Sequence, residues 1–166
     1  MFTESTGTTY TDRLTATRAT QLSGKEFERL AKLIETAVAD LGDKLGELTS
    51  KVRNTPGRCV VQIGNAALTI SWVRTIRDES SDARLMVLEW EGTIERKLDV
   101  IPERMLYRPS PQGTARLVRE TGFSADADGD AHWFWRKTDN KQTQLESEQL
   151  ATTFIKSLLQ RARTAA

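Results

Sequence analysis

The sequence predicts an α+β protein with a mostly antiparallel meander sheet of five to six strands, flanked by a long N-terminal helix and a C-terminal helix. Apolar residues recur with helical spacing after Ser23 and again over residues 146–163. Between these segments, several runs alternate apolar and polar residues, as strands with one buried face do. The links between the runs are short, which favours antiparallel neighbours because parallel strands need long crossovers.

The length and composition of the chain fit one domain. It has 166 residues, of which 38% are hydrophobic and 28% charged, close to the globular average. The first residues are rich in threonine and poor in large apolar side chains, so they bury too little surface to offset the entropy of ordering. We therefore predict a flexible N-terminal arm at residues 1–22 and a single α+β domain at residues 23–164.

The first helix is predicted to begin at Ser23. Ser23 and Glu26 have the spacing of a capping box, in which each side chain bonds to the backbone of the other residue. Apolar residues then continue at heptad-like spacing from Phe27 to Val52. The turn-forming segment 54–57 ends the pattern. The sequence thus predicts one long helix that stops shortly before residue 54.

Five runs between the helices are predicted as strands, at residues 58–63, 66–77, 83–95, 114–123 and 131–137. The alternation assigns Met86 and Leu88 to the main core face. It assigns a second set of apolar residues to the opposite face: Val73, Leu85, Val87, Val118 and Phe134. Because a face left to water is usually more polar, two covers are predicted for this set. Either the two helices divide between the faces, or a partner protein covers the second face, most simply another copy of the chain.

The few reactive side chains do not form a catalytic set. The single cysteine, Cys59, lies in an apolar run and is predicted to be a small core residue. The single histidine, His132, has no partner that the sequence nominates. Glu89 and Glu91 share one face of a strand and are interpreted as a solvated polar face.

An acidic turn at residues 126–130 superficially resembles a calcium loop. Its glycine, Gly129, follows the second aspartate instead of the third, and Lys137 stands where a loop of this kind closes with a glutamate. Asp-Gly is also a strong hairpin signal. We therefore predict a hairpin turn, no metal site and no cofactor.

The sequence favours a non-catalytic protein-binding or adaptor module that forms a homodimer. One alternative is a sheet protein that binds single-stranded nucleic acid, since arginines interleave with aromatic residues; the net charge of only +1 makes nucleic acid an unlikely partner. A second alternative is a small-ligand-binding protein or enzyme with a pocket near His132. The tryptophans are predicted either to fill the core or to line such a pocket: Trp72, Trp90, Trp133 and Trp135. The sequence has no apolar run long enough to span a membrane and no secretory signal, so we expect a cytoplasmic protein with no membrane partner.

Overall fold

The computed structural model describes residues 16–73, 84–94, 115–129 and 132–165; for residues 16–21, 128–129 and 165 it describes the backbone alone. Helix α1 comes first, seven strands follow, and helix α2 (Ser147–Ala165) comes last. The strands are β1 (Ser50–Thr55), β2 (Arg58–Ile63), β3 (Ala66–Val73), β4 (Arg84–Glu91), β5 (Arg116–Gly129), β6 (His132–Lys137) and β7 (Gln144–Leu145). Each pairs antiparallel with the next, in the order β1 to β7. The α+β class and its antiparallel meander between two helices are confirmed, with seven strands instead of five to six.

Helix α1 spans Ala16–Ala39, so it begins before the predicted start and ends well before the predicted stop. Residues 16–22, predicted as part of a flexible arm, are helical; the rest of that arm lies outside the described residues. Ser23 is buried in the helix interior, and the predicted capping box is wrong because Glu26 bonds to other side chains. Neither helix in the described ranges is long and apolar enough to cross a membrane.

The chain leaves the helical path soon after Ala39. Gly42 and Gly46 have φ values of +49° and +61°, in the left-handed region that favours glycine. A 3₁₀ turn at Gly42–Leu45 lies between them and leads towards β1. The predicted second half of the long helix is therefore wrong, and two of its turns are replaced by this turn and an extended strand.

Strand β1 is joined to β2 by the turn Pro56-Gly57. Thr55 pairs with Arg58, and Gly57 has φ +77°. Proline followed by a glycine with positive φ suits a type II turn. The residues that the sequence indicated as a helix stop thus form a hairpin turn.

Both helices lie on one face of the sheet and enclose the main core with it. Helix residues Leu30, Ile34, Leu150 and Leu158 pack in one cluster with residues of β2, β3, β4 and β6. The strand residues with complete burial in this cluster are Cys59, Val61, Ile63, Leu68, Ile70, Leu85, Val87 and Trp135. The main core is thus a layer of aliphatic and aromatic side chains between sheet and helices.

The opposite face of the sheet is also buried at its centre. The side chains there form two smaller clusters, of which the buried members are Ala67, Leu88, Trp90 and Ala115 in one and Val73 and Met86 in the other. The predicted assignment of β4 to the two faces is reversed. Leu85 pairs with Trp72 and Val87 with Ile70, which places both under the helices. The reason is that β4 is apolar on both faces, so its alternation alone does not indicate which set matches β3.

Candidate functional site

The five residues predicted to bind a partner do not share one face. Leu85 and Val87 are fully buried in the main core, while Val73 and Phe134 lie on the opposite face and are 4% and 8% exposed. Val118 is 40% exposed, beside the point where the pairing register of β4 and β5 shifts. The prediction of a common apolar face is therefore wrong for Leu85 and Val87, and a role of these residues in binding a partner is untested.

The four tryptophans do not line a common pocket. Trp72 and Trp135 meet edge-to-face in the main core with their ring centroids 5.6 Å apart. Trp90 lies on the opposite face of the sheet and donates a hydrogen bond to Thr69 Oγ1 at 3.2 Å. Trp133 is buried as well. All four side chains are therefore packing residues of the sheet.

His132 lies near an acid that sequence reasoning did not find. Its Nε2 atom is 2.8 Å from Oε2 of Glu146, which immediately precedes α2, and both side chains are about half exposed. A shallow depression on the outer face of α1 is lined by Lys25, Arg29 and Lys32, among others, and His132 does not contribute to it. The histidine and its acid therefore form a surface pair, without a pocket that joins them to the predicted ligand site.

Cys59 is unsuited to nucleophilic chemistry. Burial, with a smaller contribution from the negative charge of Glu35, raises the pKa of the Cys59 thiol to about 12. The thiol therefore stays protonated at neutral pH, and only the thiolate is a good nucleophile. This agrees with its place in the core.

Asp126 of the predicted turn belongs to strand β5 and has internal partners. Its Oδ1 atom accepts from the backbone N–H of Ala127 at 2.8 Å, and its Oδ2 atom accepts from Arg136 at 2.9 Å. The guanidinium of Arg136 also lies over the ring of Phe134, 5.6 Å from the centroid. The carboxylate is thus engaged in joining β5 to β6.

Glu89 is the most deeply buried carboxylate that the structure describes, and the predicted solvated face is wrong at this position. Its side chain is 2% exposed and lies 3.5 Å from Nε of Arg161 and 3.6 Å from Nε of Arg119. Arg161 also donates to the carbonyl oxygens of Trp90 at 2.9 Å and Ala67 at 3.2 Å. Burial lowers the pKa of Arg161, although the charge of Glu89 opposes this. These contacts fix the end of α2 to β3 and β4.

A second polar cluster joins both helices to β6. Nε1 of Trp135 donates to Oγ of Ser147 at 2.9 Å, and that hydroxyl donates to Oε2 of Glu26 at 2.5 Å. Arg29 donates to the same oxygen at 2.9 Å and also pairs with Glu148. The chain of donors and acceptors is satisfied internally, which indicates a structural role.

Strand β1 is the edge strand of the described sheet and directs part of its backbone away from β2. The N–H of Gly64 donates to the carbonyl of Thr49 at 2.9 Å, in the register that pairs Ser50 with Ile63. Backbone groups alternate in direction along an antiparallel strand. Ser50, Val52 and Asn54 therefore direct their N–H and C=O groups outward.

The side chains of β1 differ between the two faces of the sheet. Val52 is half-buried and packs against the main core, while Lys51 and Arg53 lie on the face away from the helices. Four of the six residues are exposed, and residues 50–58 include three basic side chains and no acidic one. At the other end of the sheet, β7 has only two residues. The long exposed edge at β1 is the candidate functional site.

Sequence reasoning missed this edge because residues 50–55 were assigned to a helix. The available signal was the turn Pro56-Gly57 between two short runs containing β-branched residues, which is typical of a hairpin. No family model, curated protein sequence or solved structure gives a significant match to the chain. The geometry of the described residues is therefore the guide to function.

Proposed function

We propose that the chain is a protein-binding module that recruits an extended segment of another protein by strand addition at β1. The observation that carries this proposal is the outward row of backbone groups on Ser50, Val52 and Asn54, in a regular six-residue edge strand. An added strand gains affinity from main-chain hydrogen bonds to such a row, and selectivity from the alternate side chains.

The two edges of the described sheet support β1 as the binding element. Proteins commonly protect an exposed edge by shortening it, interrupting it with proline or covering it. Strand β7 is shortened to two residues and α2 begins almost directly after it. Strand β1 has six paired residues, no internal proline and mostly exposed side chains. It therefore offers the longer template.

The alternative functions receive less support from the described residues. Nucleic-acid binding would use exposed aromatic rings as stacking platforms, whereas the tryptophans are buried. An enzyme or ligand-binding site near His132 would need a cleft, whereas its contact with Glu146 lies on the surface. The predicted homodimer relied on an exposed apolar face, and Val118 is the sole large apolar side chain that is exposed in the described ranges. The homodimer and the cytoplasmic location stay predictions.

The proposal is tested by panning a display library of random linear decapeptides against the full chain. Selected peptides are then compared for binding to Val52→Pro and Val52→Thr. Proline removes the central outward N–H and is tolerated on an edge strand. Threonine keeps both the N–H and the β-branched shape, so it controls for the loss of the valine side chain.

We expect the selected peptides to bind the wild type and Val52→Thr with affinities within about threefold of each other, and to lose at least tenfold with Val52→Pro. Circular dichroism and a urea titration confirm that both variants are folded. Equal binding to folded Val52→Pro, or peptides that compete with each other but leave β1 unaffected, would refute strand addition at this edge.

A further inference from the structure

We infer that the segment added at β1 is acidic, with Asp or Glu at two alternate positions and a β-branched apolar residue between them. This inference rests on the proposed function and specifies the chemistry of its partner. It derives from the side chains that Lys51, Val52 and Arg53 present along the edge.

The direction of the backbone places the two cations where an added strand approaches closest. Lys51 pairs with Gln62 and Arg53 with Val60, and both residues direct their N–H and C=O groups towards β2. An antiparallel strand on the outer side would therefore meet them in non-hydrogen-bonded pairs. In such pairs the Cα atoms are only about 4.5 Å apart and the side chains are closer than in hydrogen-bonded pairs. Carboxylates at those two positions would lie opposite Lys51 and Arg53.

The residue between the two carboxylates would face the other side of the sheet. Val52 is half-buried there and packs against the main core under the helices. A residue paired with Val52 would lie beside this apolar surface, and pairs of β-branched residues are favourable on a sheet face. The edge thus fits the pattern acid, β-branched residue, acid.

The same charges oppose a second copy of the chain as the occupant. If two copies paired antiparallel with Val52 at the dyad, Lys51 of one copy would lie opposite Arg53 of the other. If the register shifted by one pair towards the N-terminus, Lys51 would lie opposite Lys51 of the second copy. Like charges directly opposite each other destabilise a strand pair, and residues 50–58 contain no acidic side chain to compensate. Charge complementarity therefore selects an acidic segment over β1 itself.

The test is a titration of ¹⁵N-labelled full-length chain with three acetylated heptapeptides, followed by NMR. The peptides are Ser-Thr-Glu-Val-Glu-Thr-Ser and the versions with Gln or Lys in place of both Glu residues. Each opposite-charge pair should change the affinity about two- to fivefold. We therefore expect the Glu peptide to bind about 4- to 25-fold more tightly than the Gln peptide, with a smaller ratio at high salt, and the Lys peptide to bind most weakly.

The amide signals report how the peptide binds. The amides of Ser50, Val52 and Asn54 should shift and gain protection from exchange, because their N–H groups point outward, whereas those of Lys51 and Arg53 already bond to β2. The double variant Lys51→Glu/Arg53→Glu should prefer the Lys peptide. The control Lys32→Glu/Lys156→Glu changes the net charge equally at exposed helix positions and should keep the wild-type preference.

The possible outcomes separate this inference from the proposed function. If the three peptides bind equally and shift the alternate β1 amides, strand addition stands and the acidic partner is refuted. If the Glu peptide binds without shifting those amides, or if none of the peptides shifts them and library peptides are insensitive to Val52→Pro, strand addition itself is refuted. A dimer seen by light scattering that becomes monomeric in Val52→Pro would replace the acidic segment by a second copy.

Discussion

Replacing Arg161 by methionine is expected to destabilise the fold strongly, because it leaves the buried Glu89 with a distant and solvated partner. The variant loses hydrogen bonds to the carbonyls of Ala67 and Trp90. The carboxylate then faces only Arg119, whose side chain is 63% exposed and 3.6 Å away. Removing one member of a buried ion pair usually costs about 3–5 kcal/mol.

We expect the lower end of that range, about 3 kcal/mol, because the side chain of Arg161 remains 18% exposed. For a chain of this size, a loss of about 3 kcal/mol lowers Tm by roughly 6–12 °C. The assay is urea unfolding followed by tryptophan fluorescence, with Lys156→Met as the control on the exposed side of α2. The control should stay within about 0.5 kcal/mol of the wild type.

The double variant Glu89→Leu/Arg161→Met separates the ion pair from the packing around it. Because the unpaired charge is removed as well, the double variant should be more stable than Arg161→Met by at least about 1.5 kcal/mol. A loss below about 1 kcal/mol in Arg161→Met, or a double variant as unstable as the sum of its single changes, would show that water solvates Glu89 in the folded chain.

Three further changes test other parts of the fold. Ser147→Ala leaves the buried Nε1 donor of Trp135 without its acceptor and should cost about 1–3 kcal/mol, whereas Thr152→Ala on the exposed side of the same helix should be nearly neutral in urea unfolding; equal losses would contradict a structural network. Gly57→Ala should cost about 1–2 kcal/mol because φ is +77° there, while Gly24→Ala in α1 has open space and should stabilise by about 0.5–1 kcal/mol, so two changes of the same sign would be inconsistent with these backbone conformations. The thiol of Cys59, with its pKa raised to about 12, should react with iodoacetamide at pH 8 only as fast as the chain unfolds, and rapid labelling of the folded chain would contradict its burial. Since the unfolded thiol ionises near pH 8.5, the contribution of this thiol to stability is complete below about pH 8.5 and is lost as the pH rises towards 12.

The order of the elements was largely predictable because most strands carry their signals locally. The run from Arg58 to Ile63 is followed by Gly64-Asn65, a pair that tolerates positive φ, and the structure has β2, a turn and β3 there. The closing helix shows its apolar spacing over four turns and is found almost where predicted. Local patterns and short links therefore suffice to indicate an antiparallel meander.

The edge strand was not predictable from periodicity because two structures satisfy the same pattern. Leu45, Leu48 and Val52 have helical spacing, yet they contact the core from a 3₁₀ turn, a loop and a strand. The left-handed backbone at Gly46 is the feature that ends the helical path, and a glycine in a sequence does not reveal its own φ. Since the candidate binding site lies on this strand, it was missed with it.

The position of Glu89 was partly predictable. It shares parity with Leu85 and Val87, so a correct assignment of β4 would have placed its carboxylate under the helices. The assignment depends on the register between β3 and β4, and two apolar faces on β4 leave that register open. The partner, Arg161, is 72 residues away in sequence, and only the packing of α2 on the sheet brings the two together.

The last helix has a consequence for how the chain folds as it is synthesised. Strands β1 to β7 emerge from the ribosome before the 19 residues of α2. Until those residues follow, the sheet lacks Leu150, Leu158 and Arg161, and half of its greasy side has no cover. A nascent chain halted at this stage would expose both that surface and an open edge, and partly covered intermediates of this kind are the ones that aggregate or engage chaperones.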